Sequence, residues 1–209
     1  MNIRIASLTA LATILLAPVA ASADSLVDGS IEAGKARALT CTACHGQEGN
    51  SVNPLWPNIA GQGASYLVAQ LQAFKNGDRN DPLMTSQAML LSDEDMRNLA
   101  VYFESLPAAV SAVADPSTVA RAEALYRGGN EDAGVAACLA CHGPTGRGNP
   151  AAEYPALNGQ HAAYTAKQLH EFASNKRQSD GKTRIMRELA ARLSEEDIVA
   201  IASYLQGLK

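Results

Sequence analysis

Beyond its first twenty residues the 209-residue chain has no apolar run long enough to cross a membrane. It also lacks sustained alternation of β-branched residues, so a fold built from sheets is not expected. No cysteine is spare: all four sit in two short motifs, which leaves none for a separate disulfide framework. Two of the four histidines lie in the same motifs. Basic charge is not in excess either. Residues 24–209 carry sixteen basic and twenty-one acidic side chains, a net of −5, which argues against a nucleic-acid partner.

The chain opens Met1-Asn-Ile-Arg4, runs apolar from Ile5 to Ala20 and reads Ala21-Ser22-Ala23 before Asp24. A basic start, an apolar core and a small-x-small site describe a signal peptide, residues 1–23, cleaved after Ala23. The run is short and broken by Pro18, which disfavours a retained anchor. The mature chain is expected in a periplasmic compartment without a transmembrane anchor. Peripheral contact with a membrane is left open, and a monomer is expected.

The chemistry is concentrated in Cys41-Thr-Ala-Cys44-His45 and its twin Cys138-Leu-Ala-Cys141-His142, ninety-seven residues apart. C-x-x-C-H is the attachment pattern of a c-type haem. Two thiols three residues apart lie on one side of a helical turn, where each can add to one vinyl group of the same porphyrin. The following histidine can then turn its imidazole onto the iron. Cys41, Cys44, Cys138 and Cys141 are therefore expected to hold two haem c groups covalently, with His45 and His142 as iron ligands. A zinc site or a thiol redox pair is the competing reading. Both pairs end in His-Gly and stand a small domain apart, which favours haem.

Aligning the two motifs aligns most of the chain. Pro57-Asn-Ile-Ala-Gly61-Gln62 matches Pro155-Ala-Leu-Asn-Gly159-Gln160, and Tyr66, Gln70, Leu71 and Phe74 match Tyr164, Gln168, Leu169 and Phe172. Leu91-Ser92-Asp-Glu-Asp95 matches Leu193-Ser194-Glu-Glu-Asp197. The offset drifts only from 97 to 102, as loop insertions would produce. The expected fold is all-α: two tandem cytochrome c-like domains from an internal duplication, each wrapped around its haem. Domain 1 is read as 24–106, a linker as 107–118 and domain 2 as 119–209. Ser30 to Leu39 and Val119 to Arg127 read as the first helices, with Gly34 allowing another helix to cross closely. Tyr66 to Phe74 reads as a middle helix. The last helix of each half opens on a capping serine, Ser92 or Ser194, with carboxylates in its first turn.

An iron with histidine alone would bind gases or peroxide, whereas a methionine on the other face makes an electron carrier. Met186 is the only methionine after the second motif, seven residues before Leu193. Met84 lies seven before Leu91, whereas Met89 lies two before it, so the duplication selects Met84. Met89 is expected to pack beside the ring and Met96 within the core. His161 and His170 align with Gly63 and Gln72, so neither fits a shared design, and surface roles are expected. Pro57 and Pro155 are expected to aim a carbonyl at the Nδ1–H of the nearby ligand histidine. Tyr66 with Gln70, and Tyr164 with Gln168, could serve haem propionates or a helix contact.

On these motifs, with Gly159-Gln-His-Ala-Ala-Tyr164 and the shared methionine spacing, the whole mature chain resembles the dihaem cytochrome c4 family. The resemblance implies two class-I cytochrome c domains related by a pseudo-twofold axis, with propionates near their interface. It implies His45/Met84 and His142/Met186 ligation and a periplasmic carrier that is not an enzyme. Its expected partners are a quinol–cytochrome c reductase and a terminal haem–copper oxidase. The alternative is a cytochrome subunit of a periplasmic dehydrogenase such as a flavocytochrome c. A dihaem peroxidase fits less well, because no acid/base group over an open iron is repeated.

Charge is not duplicated. Residues 24–108 carry five basic and ten acidic side chains, and residues 109–209 carry eleven of each. Lys176, Arg177, Lys182, Arg184, Arg187 and Arg192 border the second methionine. If surface-exposed, they would give the second half a basic docking edge and leave the first an acidic one.

Overall fold

The computed structural model describes residues 26–209; the signal peptide expected at 1–23 lies outside the described residues. The first half contains α1 (Ile31–Arg37), α2 (Leu39–His45), α3 (Ala64–Asn76), α4 (Pro82–Met89) and α5 (Asp93–Glu104). The second contains α6 (Val119–Gly128), α7 (Leu139–His142), α8 (Ala162–Ala173), α9 (Ile185–Ala190) and α10 (Glu195–Gly207). Among the described residues there is no strand, only isolated bridges. The all-α expectation holds.

Each half is a small helical cage closed by its last helix. α5 packs on α1 and α3, and α10 packs on α6 and α8. Both closing helices start on a capping box. Ser92 Oγ accepts from Asp95 N at 3.1 Å while Asp95 accepts from Ser92 N at 2.9 Å, and Ser194 with Asp197 repeats the arrangement. The acidic first turns also face the positive end of the helix dipole. Met96, Leu99, Tyr102 and Phe103 form the buried face of α5; Ile198, Ile201, Tyr204 and Leu205 form that of α10. Each such side chain contributes about 1.5–3 kcal/mol by leaving water.

Gly34 lets α1 cross α5 at backbone distance, as expected. A Cβ there would stand 2.0 Å from the Asn98 carbonyl oxygen. At the matching crossing in the second half, Ala122 of α6 is wholly buried in the core beside α10.

The segment between the halves is strapped down on both sides. Asn50 Nδ2 donates to the Pro107 carbonyl at 3.1 Å, and Gln206 Nε2 donates to that of Ala112 at 3.0 Å. At Gly159, which has φ +73°, a Cβ would meet the Ala109 carbonyl oxygen at 2.1 Å. The halves also grip each other directly. Gln62 binds the backbone of Ala156, and Gln160 binds the backbone of Asn58. The repeated Gly-Gln motif thus builds a seam with internal twofold character, which fixes the two candidate sites relative to one another.

Candidate cofactor sites and the seam between them

Both motifs lie on helical turns that end at the histidine. α2 runs through Cys41 and Cys44 and stops because Gly46 adopts φ +83°; α7 stops at Gly143, φ +77°. No other residue fits at Gly46, where a Cβ would lie 2.0 Å from the Asn50 carbonyl oxygen. The chain therefore turns sharply and buries each imidazole.

His45 Nδ1 lies 2.9 Å from the Pro57 carbonyl and His142 Nδ1 lies 3.0 Å from that of Pro155, as the sequence suggested. A carbonyl can only accept, so Nδ1 carries the proton and the Nε2 lone pair is left for a metal. Burial pushes both histidines below their ordinary value. For His45 the Pro57 carbonyl opposes this and the charge of Arg79 adds to it. A neutral imidazole is the form that binds iron.

Cys41, Cys138 and Cys141 are half-buried, Cys44 is exposed, and no two of the four are joined in a disulfide. Burial pushes Cys41 up and raises Cys138 to about 11. Among the described residues no three His, Cys, Asp or Glu side chains gather to hold a metal ion. The two cysteine pairs therefore do not build a zinc ribbon.

Met84 and Met186 are both half-buried, Met84 in α4 and Met186 in α9 beside the second core. Asp81 caps α4, accepting from Leu83 N and Met84 N at 3.1 and 3.2 Å. Met96 is wholly buried, as expected. Met89, the last residue of α4, is left 58% exposed by the protein's own atoms. His170 is a surface residue 3.5 Å from Glu195. His161 is not. Its Nε2 donates to the Ser51 carbonyl of the other half at 2.8 Å, so it belongs to the seam.

Sequence reasoning missed the most heavily built part of that seam. Arg79 and Arg177 are 7% and 4% exposed and face each other across an antiparallel bridge. Each also stacks on a phenylalanine of its own half, Phe74 at 4.5 Å and Phe172 at 4.4 Å. Arg79 donates to Gln70 at 3.0 Å in its own half and to Tyr164 and Gln168 of the other, at 2.6 and 2.8 Å. Arg177 returns the pattern. It donates to Gln168 at 2.7 Å in its own half and to Tyr66 and Gln70 of the other, both at 2.7 Å. Tyr66, Gln70, Tyr164 and Gln168 therefore accept crossed arginine bonds between the halves. The available signal was that Arg79 and Arg177 each fall five residues after the matched phenylalanines Phe74 and Phe172.

This overturns part of the reading of the basic run. Arg177 is interior, and Arg187 is buried in a 2.7 Å ion pair with Asp180. Lys176, Lys182, Arg184 and Arg192 remain at the surface.

Among the described residues no carboxylate pairs with either seam guanidinium; Glu171 is reached only through Gln168 Nε2, at 2.9 Å. Burial and the neighbouring Arg79 push Arg177 below the ordinary guanidinium value, but it stays charged. Burial alone would raise Tyr66, yet the charges of Arg177 and Arg79 outweigh it and hold the phenol low. Two buried cations whose nearest carboxylate, Glu171, acts on Arg79 without bonding to it are costly. A haem brings carboxylates, and its iron and vinyl groups match the imidazoles and paired thiols. The residues present fit that group.

The family model for cytochrome c matches residues 31–107 and again 122–209. The chain is 48% identical to cytochrome c4 of Pseudomonas aeruginosa over 180 residues, covering 86% of this chain and 89% of that one. It superposes on the crystal structure of reduced recombinant cytochrome c4 from Pseudomonas stutzeri with a TM-score of 0.84 and 46% identity. That match covers 87% of this chain and 100% of the other. A thiosulfate dehydrogenase electron acceptor of Stutzerimonas stutzeri is 33% identical over 209 residues, covering 96% and 94% of the two chains.

Proposed function

The chain belongs to the cytochrome c4 family, and from that premise we propose that His45 and Met84 ligate the first haem iron and His142 and Met186 the second. As a dihaem cytochrome c4 it carries electrons on two covalently bound haem c groups and does not turn over a substrate. The thioether bonds are assigned to Cys41 and Cys44 and to Cys138 and Cys141. Each haem, when bound, supplies an iron that accepts and releases one electron. The observation that carries the ligand assignment is the pair of buried histidines whose Nδ1 atoms are held by the Pro57 and Pro155 carbonyls at 2.9 and 3.0 Å. These carbonyls fix tautomer and ring orientation, so each imidazole keeps its place whichever redox state it serves.

The protein works in the periplasm, taking electrons from a quinol–cytochrome c reductase and passing them to a terminal haem–copper oxidase. A second reading has one specific support, the resemblance to a thiosulfate dehydrogenase electron acceptor. In it the same carrier is reduced by a periplasmic dehydrogenase. Spectroelectrochemical titration of the purified protein tests the core reading. Two one-electron haems with histidine–methionine spectra are expected, and a single haem or a bis-histidine spectrum would refute it. Stopped-flow reduction by a quinol–cytochrome c reductase and by a thiosulfate dehydrogenase then separates the two donors.

A further inference from the structure

Met186 is the second residue of α9, and that helix starts without a cap of its own. Arg184, the residue before it, sits in the left-handed region at φ +53°, and its side chain caps nothing. The first turn of any helix leaves backbone N–H groups in need of partners. Here one is met from further back in the chain. Asp180 accepts from the backbone N–H of Arg187 at 3.0 Å and from its Nε at 2.7 Å, while the Gly181 carbonyl accepts from the same guanidinium. Both side chains are only 7% exposed. The N–H that Asp180 holds belongs to the peptide unit joining Met186 to Arg187, so the carboxylate grips the methionine's own backbone.

The first half meets the same need differently. Asp81 stands directly before α4 and accepts from Met84 N at 3.2 Å, but its side chain is 34% exposed and its cation, Lys167, lies 3.7 Å away. Met84 follows Arg79 by five positions, whereas Met186 follows Arg177 by nine. The longer second loop needs a closure that the shorter one does not.

We propose that Asp180 and Arg187 are positioning residues for Met186, their buried ion pair closing the longer loop so that the methionine stays in reach of the second iron. The proposal rests on the reading of Met186 as an iron ligand. A thioether is a weak neutral donor, so its hold on the iron depends on how firmly the chain presents it. Removing either partner strands the other's charge in the interior, and the loop opens to hydrate it.

The test uses the haem-loaded Met84→Ala protein, in which only the second haem keeps a thioether signature. Adding Asp180→Asn should weaken that signature in the ferric state. Imidazole should then displace the methionine about tenfold more readily, or better, the scale expected when an outer partner of a metal ligand is lost. Arg187→Gln should act alike, and Arg187→Lys should recover part of the hold. In the Met186→Ala protein, Asp180→Asn should leave the first haem's response to imidazole unmoved. Unchanged imidazole binding at the second haem overturns the proposal even if the unfolding midpoint falls, since that marks a merely structural ion pair. Equal loosening of both haems overturns it too. Should Asp180→Asn fail to fold, the two Arg187 variants decide by the same titration. A Met84→Ala protein with no thioether signature refutes the Met186 assignment and the clamp together, whereas a signature indifferent to these variants refutes only the clamp.

Discussion

Gln62 holds both backbone groups of Ala156: its Nε2 donates to the carbonyl at 2.9 Å and its Oε1 accepts from the N–H at 2.8 Å. Gln160 does the same to Asn58, at 2.8 and 3.0 Å. Each glutamine behaves like a peptide group of a neighbouring strand and satisfies a loop that its own half leaves unpaired. Gln62→Ala or Gln160→Ala leaves those groups without partners and should cost about 1–3 kcal/mol in guanidinium unfolding. The four residues line one cavity, so the double variant should depart from the sum of the singles. Strict additivity would mean that the loops relax independently.

Met84→Ala and Met186→Ala should each convert one haem to a high-spin or water-ligated form of lower potential, leaving the other intact. Visible spectra and a redox titration read this directly. If Met89→Ala removes the thioether signature and Met84→Ala does not, the first-half assignment moves to Met89. His161→Ala and His170→Ala should leave both iron spectra unchanged.

Acid should loosen the closing helices. The N–H and hydroxyl of Ser92 hold Asp95 below the usual carboxylate range. Burial acts the other way on Asp197, but the Ser194 hydroxyl and Arg121 outweigh it and hold that carboxyl low as well. A depressed folded value stabilises above the unfolded carboxylate pKa of about 4, and is lost as the pH falls through the lower folded values. Thermal unfolding followed from pH 7 to pH 3 should show this loss, with a shallower acid slope in Asp95→Asn and Asp197→Asn.

Reversing Lys176, Lys182 and Arg184 to Glu should slow electron exchange with one redox partner and flatten its ionic-strength dependence. Exchange with the other partner should barely change. All three are exposed beside the second methionine loop, whereas Asp78, Asp93 and Glu94 are exposed beside the first. Charge of opposite sign steers encounter over about a Debye length. Equal slowing with both partners would reduce the asymmetry to surface composition.

The first, middle and last helices and the caps at Ser92 and Ser194 were legible because each is governed by residues close in the chain, and the Gly34 crossing because a glycine inside a helix is itself the signal. So were the two imidazoles and their carbonyls, since the motif, the proline and the glycine turn form one local unit. In contrast, α4 and α9, which carry Met84 and Met186, were not read as helices, and the seam was not legible. Tyr66 and Gln70 share a helix face, but nothing local reveals that their partner Arg177 arrives from more than a hundred residues away. For the same reason Arg177 read as surface charge; Arg187 did so although its partner Asp180 lies only seven residues away. Charge counting along a sequence sees sign and spacing, and burial at a contact between repeats leaves neither trace. His161 was misread similarly, because its acceptor Ser51 lies in the other half.

The crossed glutamine contacts have the form of an isologous interface, in which each of two copies offers the other what it receives. One half carries Gln62 and the backbone that Gln160 binds; the other carries Gln160 and the backbone that Gln62 binds. Such a surface is self-complementary before any tether exists. The segment that joins the halves turns a meeting of two molecules into a contact within one, at an effective concentration that dilution cannot lower. The two redox centres therefore stay at a fixed separation however scarce the protein becomes.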